Sequence, residues 1–288
     1  MLSARSLALL SSLLALTASA QTAAPLVRVY HPATPLSYEV ATIKPFAYIP
    51  GAPCCGDTAR EIIREAFAFG TSRLPSAQVI GGPAWIDKDN FQIEGKPPAD
   101  LELAMRNMTY TRKFELNHAM QQSLLADRFH LKVHFEVRDL PIYALVPARG
   151  GLKLKPVVAP PPHDFTADQP ASTPNEPVAP ESFHIGFSGR NTTTVRAHAI
   201  SMAKFISMLS SNLNLTGDRP VADQTGFPGY FDIDDLRWAN AESANAGAAS
   251  DAPSLETALE QTLGLRLVLT KGPVEVVVID SIDHPSEN

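Results

Sequence analysis

Cys54 and Cys55 stand side by side and are the only cysteines in a chain of 288 residues. Adjacent thiols cannot staple distant elements. They close a strained small ring, stay reduced or pair with another chain. Gly51-Ala-Pro53 and Gly56 place the pair in a loop. A thiolate becomes reactive where a cation or a helix start lowers its pKa, and the helix expected from Thr58 begins close by. Cys54 and Cys55 are therefore the candidate redox pair, set against the plainer reading of an inert loop.

The histidines and carboxylates offer less. His130 and His134 read as neighbours on the polar face of one strand. At about 3.3 Å per residue they stand roughly 13 Å apart, too far to share a zinc ion. His184 and His198 flank an expected hairpin, Phe183–Phe187 with Thr192–Ala197, and can face each other, but no third ligand accompanies them. Asp232 and Asp234 share a face while Asp235 points away. An exposed acidic edge that discourages aggregation fits them better than a calcium loop. Gly186-Phe-Ser-Gly189 lacks the spacing of a nucleophile elbow, and no phosphate-cradling glycine loop is present. Trp85 and Trp238 are expected at the rim of a core. The residues thus predict no catalytic, cofactor-binding or metal site.

The elements that must position these groups repeat. Leu124–Val146 runs LLADRFHLKVHFEVRDLPIYALV, and Leu259–Ile279 runs LEQTLGLRLVLTKGPVEVVVI. Each reads as a helix end, an alternating strand, a polar turn and a second strand opened by Pro141 or Pro273. Phe91-Gln-Ile93 and Phe231-Asp-Ile233 repeat upstream, each preceded by an amphipathic helix. The first of these helices carries Ala59, Ile62, Ile63, Ala66 and Phe67 on one face, with Thr58 to Glu61 as a capping box. Met202, Phe205, Ile206 and Leu209 mark its counterpart behind the cap Ser201. Ser254 caps a later helix that Gly264 ends. In the strand after Asp127, Phe129, Leu131, Val133 and Phe135 point one way and His130, Lys132, His134 and Glu136 the other. The fold class expected is α+β, two related units, each a small mostly antiparallel sheet with helices packed on one face.

Residues 1–20 read as a signal peptide. Arg5 gives the positive start, Leu7–Leu16 the apolar middle, and Ala18-Ser19-Ala20 the cleavage site. Units over 36–155 and 181–288 follow, separated by a linker over 156–180 that holds eight prolines. The net charge of −6 and the scattered basic residues argue against nucleic acid or an anionic membrane as partner. Nothing after the leader is long and apolar enough for membrane insertion. Export to the periplasm or the extracellular space is the expected localisation.

Several segments resemble a large family of uncharacterised exported proteins of soil bacteria. They are Glu39-Val-Ala-Thr-Ile-Lys-Pro45, Gly81-Gly-Pro-Ala-Trp85, Leu124-Leu-Ala-Asp-Arg-Phe129, Pro220-Val-Ala-Asp-Gln-Thr-Gly226, Ala258–Leu265 and Lys271–Asp280. The chain departs from that family's pattern near Cys54-Cys55. Some relatives are attached to membrane metallopeptidases of the β-lactam-sensor type, which implies sensing or regulation. Each half, best over Val221–Ile279, is also similar to the short N-terminal domain of secretins and TonB-dependent transducers, which implies contact with a protein partner. The function expected is a non-catalytic protein-interaction or sensing module. The alternative is a redox or metal-dependent exported enzyme using Cys54, Cys55 or the surface histidines.

Overall fold

The computed structural model describes residues 26–46, 56–68, 73–106, 108, 110–158, 182–188, 192–212, 218–239 and 251–285. The chain is α+β with mostly antiparallel sheets. In the first half, β1 (Val40–Pro45) and β2 (Asp57–Thr58) flank β4 (Asn90–Lys96), and Ile43 lies opposite Ile93. In the second half, β6 (Lys155–Val157), β10 (Tyr230–Ala239), β8 (Thr192–Ser201) and β7 (Ser182–Ser188) form a sheet in that order. Here Phe231 lies opposite Ile200.

Helices cap each half as the side-chain periods require. Thr58 accepts from the Glu61 N–H at 3.2 Å to start α1 (Ala59–Ala66). The long α3 (Tyr110–Arg128) packs on α1, after a shorter exposed α2 (Ala99–Arg106) that the sequence did not announce. Ser201 caps α4 (Met202–Ser207), and Ser254 caps α5 (Leu255–Ala258), which continues as a π turn to Leu263. Gly264 ends that helix at φ 64°. A Cβ there would sit 2.1 Å from the Gly151 carbonyl oxygen, so the position has room only for glycine.

The expected terminal hairpins do not form. Lys132–Pro147 is one strand, β5, and Leu265–Ser281 is one strand, β11. They pair antiparallel with each other in one register from Leu265 opposite Pro147 to Ile279 opposite Val133. Two short strands border this ribbon in parallel: β3 (Val79–Gly81) beside β11, and β9 (Val221–Asp223) beside β5. The first-half strand therefore runs on into the second half, and the reverse.

Proline normally interrupts an inner strand because it lacks a donor. Here the loss is harmless. Val27 N–H donates to the Pro273 carbonyl from the outer edge of β11, so Pro273 turns its nitrogen outward as well. Tyr143 N–H donates outward to Pro220, and Pro141, two residues earlier, shares that edge.

The cores are built across the halves. Ile62, Ile63, Phe67, Leu125 and Phe129 are closed by Val277 and Ile279 from the far end of β11. Phe205, Leu209, Phe231, Leu259 and Leu263 are closed by Leu145 from the far end of β5. Each exchanged side chain contributes about 1.5–3 kcal/mol by burial, and it does so in the other half's core.

Candidate interaction surface

Alternation along the ribbon sorts its side chains onto two faces. On one face, Val133, Val277 and Ile279 lie under α1 and α3, and Leu145, Leu265 and Leu267 lie under α4 and α5. Between those helix-covered ends the same face is open. Val137 is 59 % and Leu269 58 % exposed, with Phe135 at 39 % beside them. Leu269 lies opposite Tyr143, which puts Val137 and Leu269 roughly 20 Å apart along the strands. Asp139, Pro141 and Lys271 complete this floor and are exposed.

The floor has a firm border on the first-half side. The Phe135 ring meets the His31 ring edge-on at 4.3 Å and the Phe67 ring at 5.9 Å. His31 Nε2 and the Val29 N–H both reach Glu275 Oε2 at 3.1 Å. The alternation predicts Phe135 buried with Phe129 and Leu131; it is instead 39 % exposed, its ring leaning on Phe67 at the end of α1.

The opposite face of the ribbon is closed around its middle, while His134 and Arg138 on the same face are exposed. Ile142, Val274 and Val276 are fully buried there, with Ile80, Ala222 and Val27 around them. The segments entering the two edge strands are tied together, Asp218 accepting from Ser76 N–H at 3.0 Å and from Arg64 Nη2 at 2.7 Å. Ser76 and Asp218 each stand three residues before an edge strand, so the bond joins the approaches to the two edges of the sheet. Asp218 takes φ 63° to make these bonds. A second clasp, Arg60, donates to the Val79 and Gly81 carbonyls at 3.0 Å and pairs with Asp87. That bond holds the Asp87 carboxyl below its usual range.

The sequence candidates are dispersed. Cys54 and Cys55 lie outside the described residues. His130 is not on the strand; it takes φ 47° in the turn between α3 and β5, the place Gly264 holds in the other half. His134 is exposed, its Nδ1 on Asp280 at 2.8 Å and its Nε2 on Glu136 at 3.1 Å. Those bonds, Glu136 first, raise its pKa. With both nitrogens engaged, it holds no lone pair ready for a substrate proton. The β7–β8 hairpin forms, but His184 faces Arg196 and His198 faces Ser182, so the two histidines are two residues out of register. His198 Nδ1 bonds Asp232 at 2.8 Å.

Asp234 and Asp235 are exposed and lie beyond Tyr230–Asp232, the stretch of β10 that pairs with β6. Each carboxylate of the trio has its own partner: His198 and Ala199 N–H for Asp232, Lys155 for Asp234, Arg237 for Asp235. Lys155 also sits in a strand, with Pro156 and Val157. Trp238 is deep in the second core, whereas Trp85 is at the rim, stacked on His284 at 4.0 Å. Among the described residues, no group of three or more His, Cys, Asp or Glu is placed to hold a metal ion. Among the same residues no helix is long and apolar enough to cross a membrane.

The sequence pattern hides the open floor, because Pro141 and Pro273 read as the starts of new strands. The outward direction of their nitrogens becomes visible only once Val27 and Pro220 are placed. A family model described as a protein of unknown function (DUF3738) matches residues 60–282. No curated protein and no solved structure matches the chain.

Proposed function

This chain belongs to the DUF3738 family of proteins of unknown function, and on that premise we propose that it is an exported, non-catalytic interaction module. It captures a protein partner on the open middle of the β5–β11 ribbon. The observation that carries this reading is the exposure of Val137 and Leu269 on a floor whose two ends are roofed by helices. Phe135 stands two residues from Val137 on the same face and is 39 % exposed, and exposed apolar side chains that lie together mark contact sites more often than isolated ones do. Asp139 and Lys271 lie between Val137 and Leu269 and supply the polar contacts that set orientation.

The leader-like residues 1–20 support export. The test compares the full chain with a Val137→Lys, Leu269→Glu double variant as bait in the exported fraction of the producing cell. A protein held by the first and lost from the second supports the reading. Identical recoveries from both baits, or none from either, would sink it.

A further inference from the structure

α3 is pinned to the end of α1 by three side chains. His118 Nδ1 meets the Ala68 carbonyl at 3.0 Å, Gln121 Nε2 donates to Glu65 at 3.3 Å, and Gln122 Nε2 donates to the Ala66 carbonyl at 2.8 Å. His118 is 1 % exposed. A carbonyl only accepts, so Nδ1 carries the ring proton and Nε2 is a bare acceptor. The Glu65 carboxylate fixes the Gln121 amide in the same way, leaving its Oε1 as the free end. Among the described residues, both His118 Nε2 and Gln121 Oε1 are buried without a hydrogen-bond partner. Each acceptor gains water when the helix interface opens, which lowers the cost of opening.

We propose that His118 is an acid-operated latch: a second proton on its ring loosens α3 from α1 and widens the open floor at Phe135. The proposal rests on the interaction reading, because it regulates that same floor. The proton would add to Nε2 and place a full charge inside the interface. The groups facing it are Glu65 on α1, Glu115 on α3 and Tyr30 from the segment before β1, with the Phe114 ring edge-on at 5.9 Å. Burial outweighs the two carboxylates and the Ala68 bond, and it holds the imidazole below its ordinary range. The relief available to the charged ring is to turn toward water, which releases the Ala68 carbonyl. Phe67 precedes Ala68, and its ring is the one that leans on Phe135. Loss of that contact uncovers the rest of the Phe135 ring.

The test follows the full chain from pH 7.5 to 5 by histidine ring nitrogen shifts and amide hydrogen exchange, corrected for intrinsic rates. The ring of His118 is expected to titrate below the ordinary histidine value of about 6.5. Protection in the last turn of α1 is expected to fall at least tenfold as it does so. A His118→Asn variant keeps a donor for Ala68 and carries no proton-dependent charge, so its protection should stay flat. Equal losses in both proteins would overturn the latch. If the variant does not fold, the wild-type data decide alone: ordinary titration of His118, or protection that does not follow it, also overturns the proposal. None of these readings needs a partner, so a failed latch is distinguishable from a failed interaction reading.

Discussion

Leu140 lies directly opposite Gly272, and seven further pairs of the ladder extend to each side before the register shifts at Ser281. Val137 stands three residues before Leu140, and Leu269 three residues before Gly272. The two most exposed apolar side chains of the floor are therefore related by the ribbon's own centre. Pro141 and Pro273 stand one residue after it in the same way.

Val137→Lys and Leu269→Glu should each leave the fold intact. Both side chains are mostly in water, so the stability change expected is within about 0.5 kcal/mol. Urea melts of the single variants measure this. A shift several times larger would mean that the floor is packed against something.

Phe129→Asp and Leu263→Asp should each abolish folding, because both sites are buried among apolar side chains and offer a carboxylate no partner. The milder Phe129→Ala is expected to cost about 3–5 kcal/mol. The exchanged strands add a sharper expectation. Val277→Ala should loosen α1 in the first half more than α5 in the second, read by hydrogen exchange. The reverse order would contradict the shared core.

His130 and Gly264 make a reciprocal pair for testing the left-handed turn. Replacing His130 by glycine should be neutral or slightly stabilising, since φ 47° suits a residue without Cβ. Gly264→Ala should cost more than about 2 kcal/mol, from the positive φ together with the approach of the Gly151 carbonyl. Thermal melts of the two variants settle it, and similar shifts for both would rule out the assignment.

Asp218→Ala removes the tie between the two edge strands and leaves Ser76 N–H and Arg64 without that acceptor. A loss of about 1–3 kcal/mol is expected, with faster amide exchange in β3 and β9 than elsewhere. Asp218→Asn should retain part of the effect. An unchanged urea midpoint for the alanine variant would show that the tie adds nothing to stability.

Two histidines should titrate in opposite directions. Burial lowers the His118 pKa, so its contribution to stability is present above about 6.5 and is lost as pH falls toward the folded-state value. Bonds to Glu136 and Asp280 raise that of His134, so its contribution is present below about 6.5 and is lost as pH rises through the elevated value. Ring shifts of the two histidines in one titration check both signs. A common midpoint would contradict them.

Much of the local structure could be read directly. The caps Thr58, Ser201 and Ser254, the stop at Gly264, and the apolar stripe from Ala59 to Phe67 all follow from side-chain chemistry within a few residues. The strand paths could not be read this way. Arg138-Asp-Leu-Pro141 and Thr270-Lys-Gly-Pro273 carry strong turn residues, and only the long-range partners of Pro141 and Pro273 keep those stretches extended. The roles of His118 and Asp218 depend on groups many residues away, Ala68 and Ser76, and no local pattern announces such meetings.

The exchange of strand ends has a bearing on how the protein would survive damage. A protease cut between Val158 and Ser182 would sever the polypeptide without touching one rung of the β5–β11 ladder. The two fragments would stay joined as a split protein, each holding a piece the other needs, and neither should be recoverable alone in native form.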